Sequence, residues 1–127
     1  MTTLCGIKIT CKTAVQKAGF EEDCIVERHG SIRFLQCVDT SISSEIWPVP
    51  SDTTFDIDDN LRLRNAMPTG PPGQNHPARP NILMFGDFGF EGERTDLQLE
   101  RYYAFQQNAL WDGDPFVVIE IGAGTYL

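Results

Sequence analysis

No stretch of about 18 consecutive apolar residues, the length a membrane-spanning helix requires, occurs in these 127 residues. Basic residues are scarce: ten Lys and Arg stand against eighteen Asp and Glu, for a formal net charge of −8. Such a field repels the phosphate backbone of nucleic acids and anionic membrane surfaces, so neither is expected as a partner. The segment Met1-Thr2-Thr3-Leu4-Cys5 lacks the basic residues and apolar run of a signal peptide, and an intracellular, cytoplasmic location is expected. No C-x-x-C pair joins any of Cys5, Cys11, Cys24 and Cys37; this is not a zinc spacing, and reduced thiols are expected. Also missing are a serine nucleophile elbow, an H-E-x-x-H helix and a phosphate loop ending in Gly-Lys-Ser/Thr. The common hydrolase, zinc-protease and nucleotide triphosphatase chemistries are thereby disfavoured.

What is present has the composition of one folded domain, with 41 % hydrophobic and 22 % charged residues. Leu4 to Thr10 sets Ile7 and Ile9 in alternation with polar residues and predicts a short strand. Ala14 to Ala18 predicts a brief helix, closed by Gly19 in the left-handed conformation. From Cys24 to Cys37 the pattern is β-rich: Ile25-Val26, a bend at His29-Gly30, then Ile32, Phe34 and Leu35. Val38 to Arg79 holds six of the eight prolines and predicts an irregular region, a small lobe inserted over 38–79.

The last third is more regular. Asn81 to Phe85 and Phe116 to Ile121 are uninterrupted apolar runs, each stopped by glycine, and predict strands buried on both faces. Between them Thr95-x-x-Gln98 has capping-box spacing, and Leu99, Tyr102, Tyr103 and Leu110 recur at helical intervals, which predicts a helix near 95–110. The expected fold class is α/β, with a βαβ unit of parallel strands and ligands beyond their carboxyl ends. Gly86-Asp87-Phe88-Gly89-Phe90 and Gly122-Ala123-Gly124-Thr125 follow those ends.

Gly122 and Gly124 leave room for backbone amides to approach a phosphate or ribose, or else form a simple turn. As a dinucleotide fingerprint they read as incomplete, since that motif needs a helix after the glycines and only Tyr126 and Leu127 follow Thr125 here. His29, beside Gly30 between two strands, is placed to act as a general base near neutrality, or is an ordinary exposed or structural histidine. His76 reads as a solvated loop residue. Asp87, with Phe88 and Phe90 around Gly89, forms either a loop that grips an extended peptide or a turn with core aromatics. Asp52, Asp56, Asp58 and Asp59 lack the glycine and terminal Glu of a calcium loop and read as a solvated acidic stretch.

Three motifs occur in order: Glu27-Arg28-His29-Gly30-Ser31 leading to Cys37; Ala78-Arg79-Pro80-Asn81-Ile82-Leu83-Met84-Phe85-Gly86-Asp87; and Val117-Val118-Ile119-Glu120-Ile121-Gly122-Ala123-Gly124-Thr125. With Gln16-Lys17-Ala18-Gly19-Phe20 ahead of them, the chain resembles the sirtuin family over most of its length. The resemblance implies a Rossmann-like parallel sheet with a small lobe, and an NAD-dependent protein deacylase that transfers the acyl group of an acyl-lysine to ADP-ribose with release of nicotinamide. It implies His29 as the general base toward the ribose hydroxyls, Gly86 and Asp87 beside the acylated lysine peptide, and Gly122, Gly124 and Thr125 as NAD-contacting residues. Thr40 stands where a second zinc cysteine would follow Cys37, and one thiolate does not hold structural zinc, so zinc is not expected. The family's glycine-rich NAD loop and its helix have no counterpart ahead of Ile7. Residues 1–127 are therefore expected to form a single partial domain, weakly active or inactive by itself, with a partner chain completing the sheet. The alternative is a non-catalytic peptide-binding module derived from the same fold.

Overall fold

In the computed structural model the described residues are 6–8, 14–71, 73–113, 115 and 117–119. Strand β1 (Gly6–Lys8) leads through the short helix α1 (Ala14–Lys17) to β2 (Ile25–Glu27), which pairs with β1 in parallel, Ile7 opposite Val26. Gly19 ends the helical turn at φ +88°, where the Ala18 and Phe20 N–H groups both donate to the Val15 carbonyl. That left-handed conformation is the one a glycine adopts without steric cost. A 3-10 turn over Glu22–Cys24 then feeds β2, whose three residues are all buried.

Across the bend at Arg28-His29, β3 (Gly30–Cys37) is the centre of a second, antiparallel sheet between β4 (Ile46–Pro48) and β5 (Ala78–Ile82). Both outer strands carry proline, Pro48 and Pro80, which supplies no N–H to a ladder and so suits an edge. A small core of Leu35, Trp47 and Ala78, with Val49 against it, lies on this sheet. Between Ser31 and Leu35 the register shifts, because three residues of β3 pass while Asn81 gives way to Pro80 on β5. Within that bulge Ile32 is exposed, and the Phe34 ring lies 4.0 Å beneath the Arg94 guanidinium.

Cys37 stands opposite Ala78, and the Val38 N–H donates to the Pro77 carbonyl at 2.9 Å, so the segment between leaves and rejoins the sheet on adjacent rungs. Within it are β4 and two isolated bridges, Ile57 to Leu63 and Thr69 to Pro77. The sequence reading missed β4, because three residues hemmed by Pro48 and Pro50 carry no periodicity. Trp47, buried opposite Leu35, is what holds it.

The helix α2 (Glu93–Asp112) spans the region predicted near 95–110 and closes at Gly113, φ +68°, whose N–H donates to the Ala109 and Leu110 carbonyls. Its start differs from expectation: Gly92 is the N-cap, and Thr95 and Gln98 are used elsewhere. Gln98 Oε1 accepts the Glu27 N–H at 2.8 Å, and the Thr95 hydroxyl donates to the Glu27 carbonyl at 3.3 Å. Helix side chains thus do for β2 what a further strand would do. The buried Glu27 carboxylate meets Arg94 at 2.5 Å, which completes the dock.

Two predicted strands are corrected. The strand expected over Asn81–Phe85 is β5, Ala78–Ile82, antiparallel to β3, while Leu83, Met84 and Phe85 lie beyond it and are exposed. An apolar run does not declare its partner, and here pairing with β3 stops at Ile82. Of the run Phe116–Ile121, Val117 to Ile119 are outside regular structure and exposed; the rest lies outside the described residues. The βαβ unit expected from these two runs is therefore not formed among the described residues, where the only parallel pair is β1 with β2. What is present is mixed α/β. No helix among the described residues is long and apolar enough to cross a membrane.

Gly30 opens β3 at φ +72°, and a Cβ built there would overlap the Asn81 carbonyl oxygen. Gly30→Ala combines a left-handed alanine with that overlap and is expected to cost about 2–4 kcal/mol. Arg94→Ala removes the guanidinium that pairs with the buried Glu27 carboxylate, for an expected loss of about 3–5 kcal/mol. Urea unfolding of both variants against wild type checks these values, and a loss below about 0.5 kcal/mol in either contradicts its argument.

Candidate functional site

His29 occupies the link between β2 and β3, where each strand fixes one side of the bend. Its side chain is exposed, and its carbonyl accepts the Leu83 N–H at 3.1 Å, which anchors it to the chain leaving β5. Beyond Ile82 the backbone turns: the Asp87 N–H donates to the Met84 carbonyl at 3.2 Å, with Gly86 at φ +70°. The turn brings Leu83 to Phe88 around His29 to line an open cleft of about 460 Å³. Met84, Phe85 and Phe88 give it exposed apolar walls.

Asp87 is bound into the loop it begins. Arg79 Nη2 donates to Asp87 Oδ2 at 2.7 Å and to the Gly89 carbonyl at 3.0 Å, while Asp87 Oδ1 accepts the Gly89 N–H at 3.1 Å. The hydrogen bond from the Arg79 guanidinium holds the Asp87 carboxyl below the usual carboxylate range. Its charge is neutralised at the cleft wall, so the surface facing His29 suits an uncharged, partly apolar ligand better than a free cation.

Three of the residues singled out in sequence, His29, Gly86 and Asp87, therefore line one cleft. Gly122, Gly124 and Thr125 lie outside the described residues. His76 is half-buried in the lobe, its carbonyl accepting the Gly70 N–H at 3.0 Å. Of the acidic stretch, Asp58 Oδ1 accepts the Asn60 and Arg62 N–H groups at 2.9 and 2.8 Å, and Asp56 lies 3.9 Å from Arg64. These carboxylates shape a hairpin turn, and among the described residues no group of three or more His, Cys, Asp or Glu is gathered for a metal.

The sequence reading missed Arg79 as the residue that holds Asp87, although both lie in the motif Ala78 to Asp87. The sequence signal was slight, an arginine eight residues before an acid. A second hollow, of about 440 Å³, lies between α2 and β4, and its lining contains neither a histidine nor a cysteine.

No protein-family model matches the chain, and no curated protein matches it. A functional assignment rests on the motifs and on the chemistry of the cleft.

Because the folded Asp87 carboxyl titrates below its unfolded value, its contribution to stability is complete above about pH 4 and is lost as pH falls through the folded pKa. Asp87→Asn is expected to lower stability by about 1 kcal/mol at neutral pH, with the gap to wild type closing as pH falls below the ordinary carboxylate range. Thermal midpoints of the two proteins across that range check this; a gap that stays constant removes the ion pair as its cause.

Proposed function

We propose that this chain belongs to a sirtuin-like, NAD-dependent protein-lysine deacylase, with His29 as general base and Gly86 and Asp87 on the wall that holds the acylated peptide. One observation carries the reading: His29 and the Gly86–Phe88 turn, far apart in sequence, line the same apolar-walled cleft. Acylation removes the charge of a lysine and lengthens its apolar reach. A cleft whose one carboxylate is tied to Arg79 and whose walls are Met84, Phe85 and Phe88 suits that group.

The main-chain anchor from Leu83 holds the His29 backbone, and His29 lines the cleft, where an imidazole would serve as base toward a hydroxyl. Gly86 leaves the wall without a side chain, so an extended peptide backbone can approach. Phe85 and Phe88 would cover the aliphatic stem and exclude water from it. When bound, NAD supplies the electrophilic ribose carbon and nicotinamide as the leaving group. Gly122, Gly124 and Thr125 would hold it, as the resemblance implies. In the same reading β1 and β2 are part of a Rossmann-like sheet, supported by their parallel pairing through α1, and 38–79 is the small lobe.

A second reading, a peptide-binding module without turnover, is favoured by the concentration of exposed apolar side chains at Leu83, Met84, Phe85 and Phe88.

The test mixes the protein with NAD and an acetyl-lysine peptide and follows nicotinamide release. Release from wild type is expected to be slow, and to fall about a hundredfold or more in His29→Ala. Peptide binding without release would select the binding module. Neither binding nor release would overturn both readings.

A further inference from the structure

We infer that Gln36, which does not line the cleft, is the positioning residue that sets the cleft's peptide-holding wall; the deacylase reading supplies the ligand for this inference, and the geometry stands apart from it. Gln36 lies near the end of β3, wholly buried between Leu35 and Cys37. An amide withdrawn from water this far destabilises the fold unless its donors and its acceptor are all used. They are used, chiefly by one loop. Gln36 Nε2 donates to the Gly89 carbonyl at 2.6 Å and to the Cys37 carbonyl at 3.3 Å. Its Oε1 accepts the Glu91 N–H at 3.1 Å and a proton of Asn81 Nδ2 at 2.9 Å. Asn81, equally buried on β5, gives its second Nδ2 proton to the Glu91 carbonyl at 2.9 Å.

The segment from Gly89 to Glu91 belongs to no strand, yet the Gly89 carbonyl and both main-chain groups of Glu91 are held by two sheet side chains. Gln36 and Asn81 take the place of the neighbouring strand this segment lacks. β3 consequently governs both walls of the cleft. His29 directly precedes its first residue, and Gln36, one residue from its last, holds the loop that continues from Gly86, Asp87 and Phe88. The separation of the imidazole from the apolar wall is thus set along a strand as well as by the main-chain bond from Leu83 to His29. An apolar side chain at position 36 would fill the same volume but leave the Gly89 carbonyl and Glu91 N–H without these partners.

The test is amide-resolved hydrogen exchange of the whole chain, wild type against Gln36→Met, together with titration by an acetyl-lysine peptide. In the variant the Glu91 N–H is expected to exchange about tenfold faster or more, while Val26 and Leu35 keep wild-type rates. The peptide Kd should weaken about tenfold, and where turnover is measurable KM should rise with kcat within about twofold. Acceleration spread evenly through β2, β3 and the loop would overturn the inference, since Gln36 would then act on the whole fold. So would a loosened loop that binds peptide as tightly as before. Should Gln36→Met fail to fold, Asn81→Ala removes the bridge from the β5 side and is judged by the same readouts. If wild type binds no acetyl-lysine peptide, the deacylase reading falls, and the exchange pattern alone decides whether Gln36 positions the loop.

Discussion

The buried polar side chains around β2 and β3 constrain everything else in this fold. Glu27, Ser31, Gln36, Asn81, Thr95 and Gln98 are as fully withdrawn from water as the apolar residues Ile25, Val26 and Leu35. Burying such groups is unfavourable unless they find partners, and for Glu27, Gln36, Asn81, Thr95 and Gln98 those partners come from distant segments. The Glu27 main chain requires Thr95 and Gln98, its carboxylate requires Arg94, and Gln36 requires Gly89, Glu91 and Asn81. Each requirement fixes where α2 or the loop before it must lie. Apolar packing alone, being non-directional, would leave those placements loose.

The candidate site inherits this arrangement. The loop that walls the cleft is held from behind by Gln36, Asn81 and Arg79, so the face it turns to His29 is free to carry exposed aromatics. Packing those aromatics inward would have stabilised the domain and closed the cleft. A rigid polar backing with an apolar front is an economical way to present a preorganised surface to a ligand that is itself partly apolar. The inserted segment beyond Cys37 leaves and returns on adjacent rungs of β3 and β5 and does not disturb that backing.

Local chemistry made some of this legible. Gly19 and Gly113 stop helices because a left-handed residue is needed there, and glycine after a periodic run is visible in any sequence. His29-Gly30 marked a bend for the same reason, and the helical spacing of Leu99, Tyr102, Tyr103 and Leu110 marked α2. Other readings failed for equally physical causes. Thr95-x-x-Gln98 has the spacing of a capping box, yet both side chains bond the Glu27 main chain of β2 and not the helix end. Asn81 to Phe85 looked like one buried strand, but pairing with β3 ends at Ile82 and the chain turns out toward solvent.

By itself the sequence determined the helix α2 and the brief helix closed by Gly19, the bend that presents His29, the irregular stretch rich in proline, and the negative charge that disfavours polyanionic partners. These follow from interactions within a few residues or from composition, which position along the chain already contains. Only the tertiary structure decided which strands pair, that Arg79 neutralises Asp87, and that Gln36 and Asn81 hold a loop more than one element away. The reason is that a hydrogen-bonding side chain carries no mark of its partner. Gln36 could have bonded water at a surface, and its role exists only because folding removes the water and leaves one loop within reach.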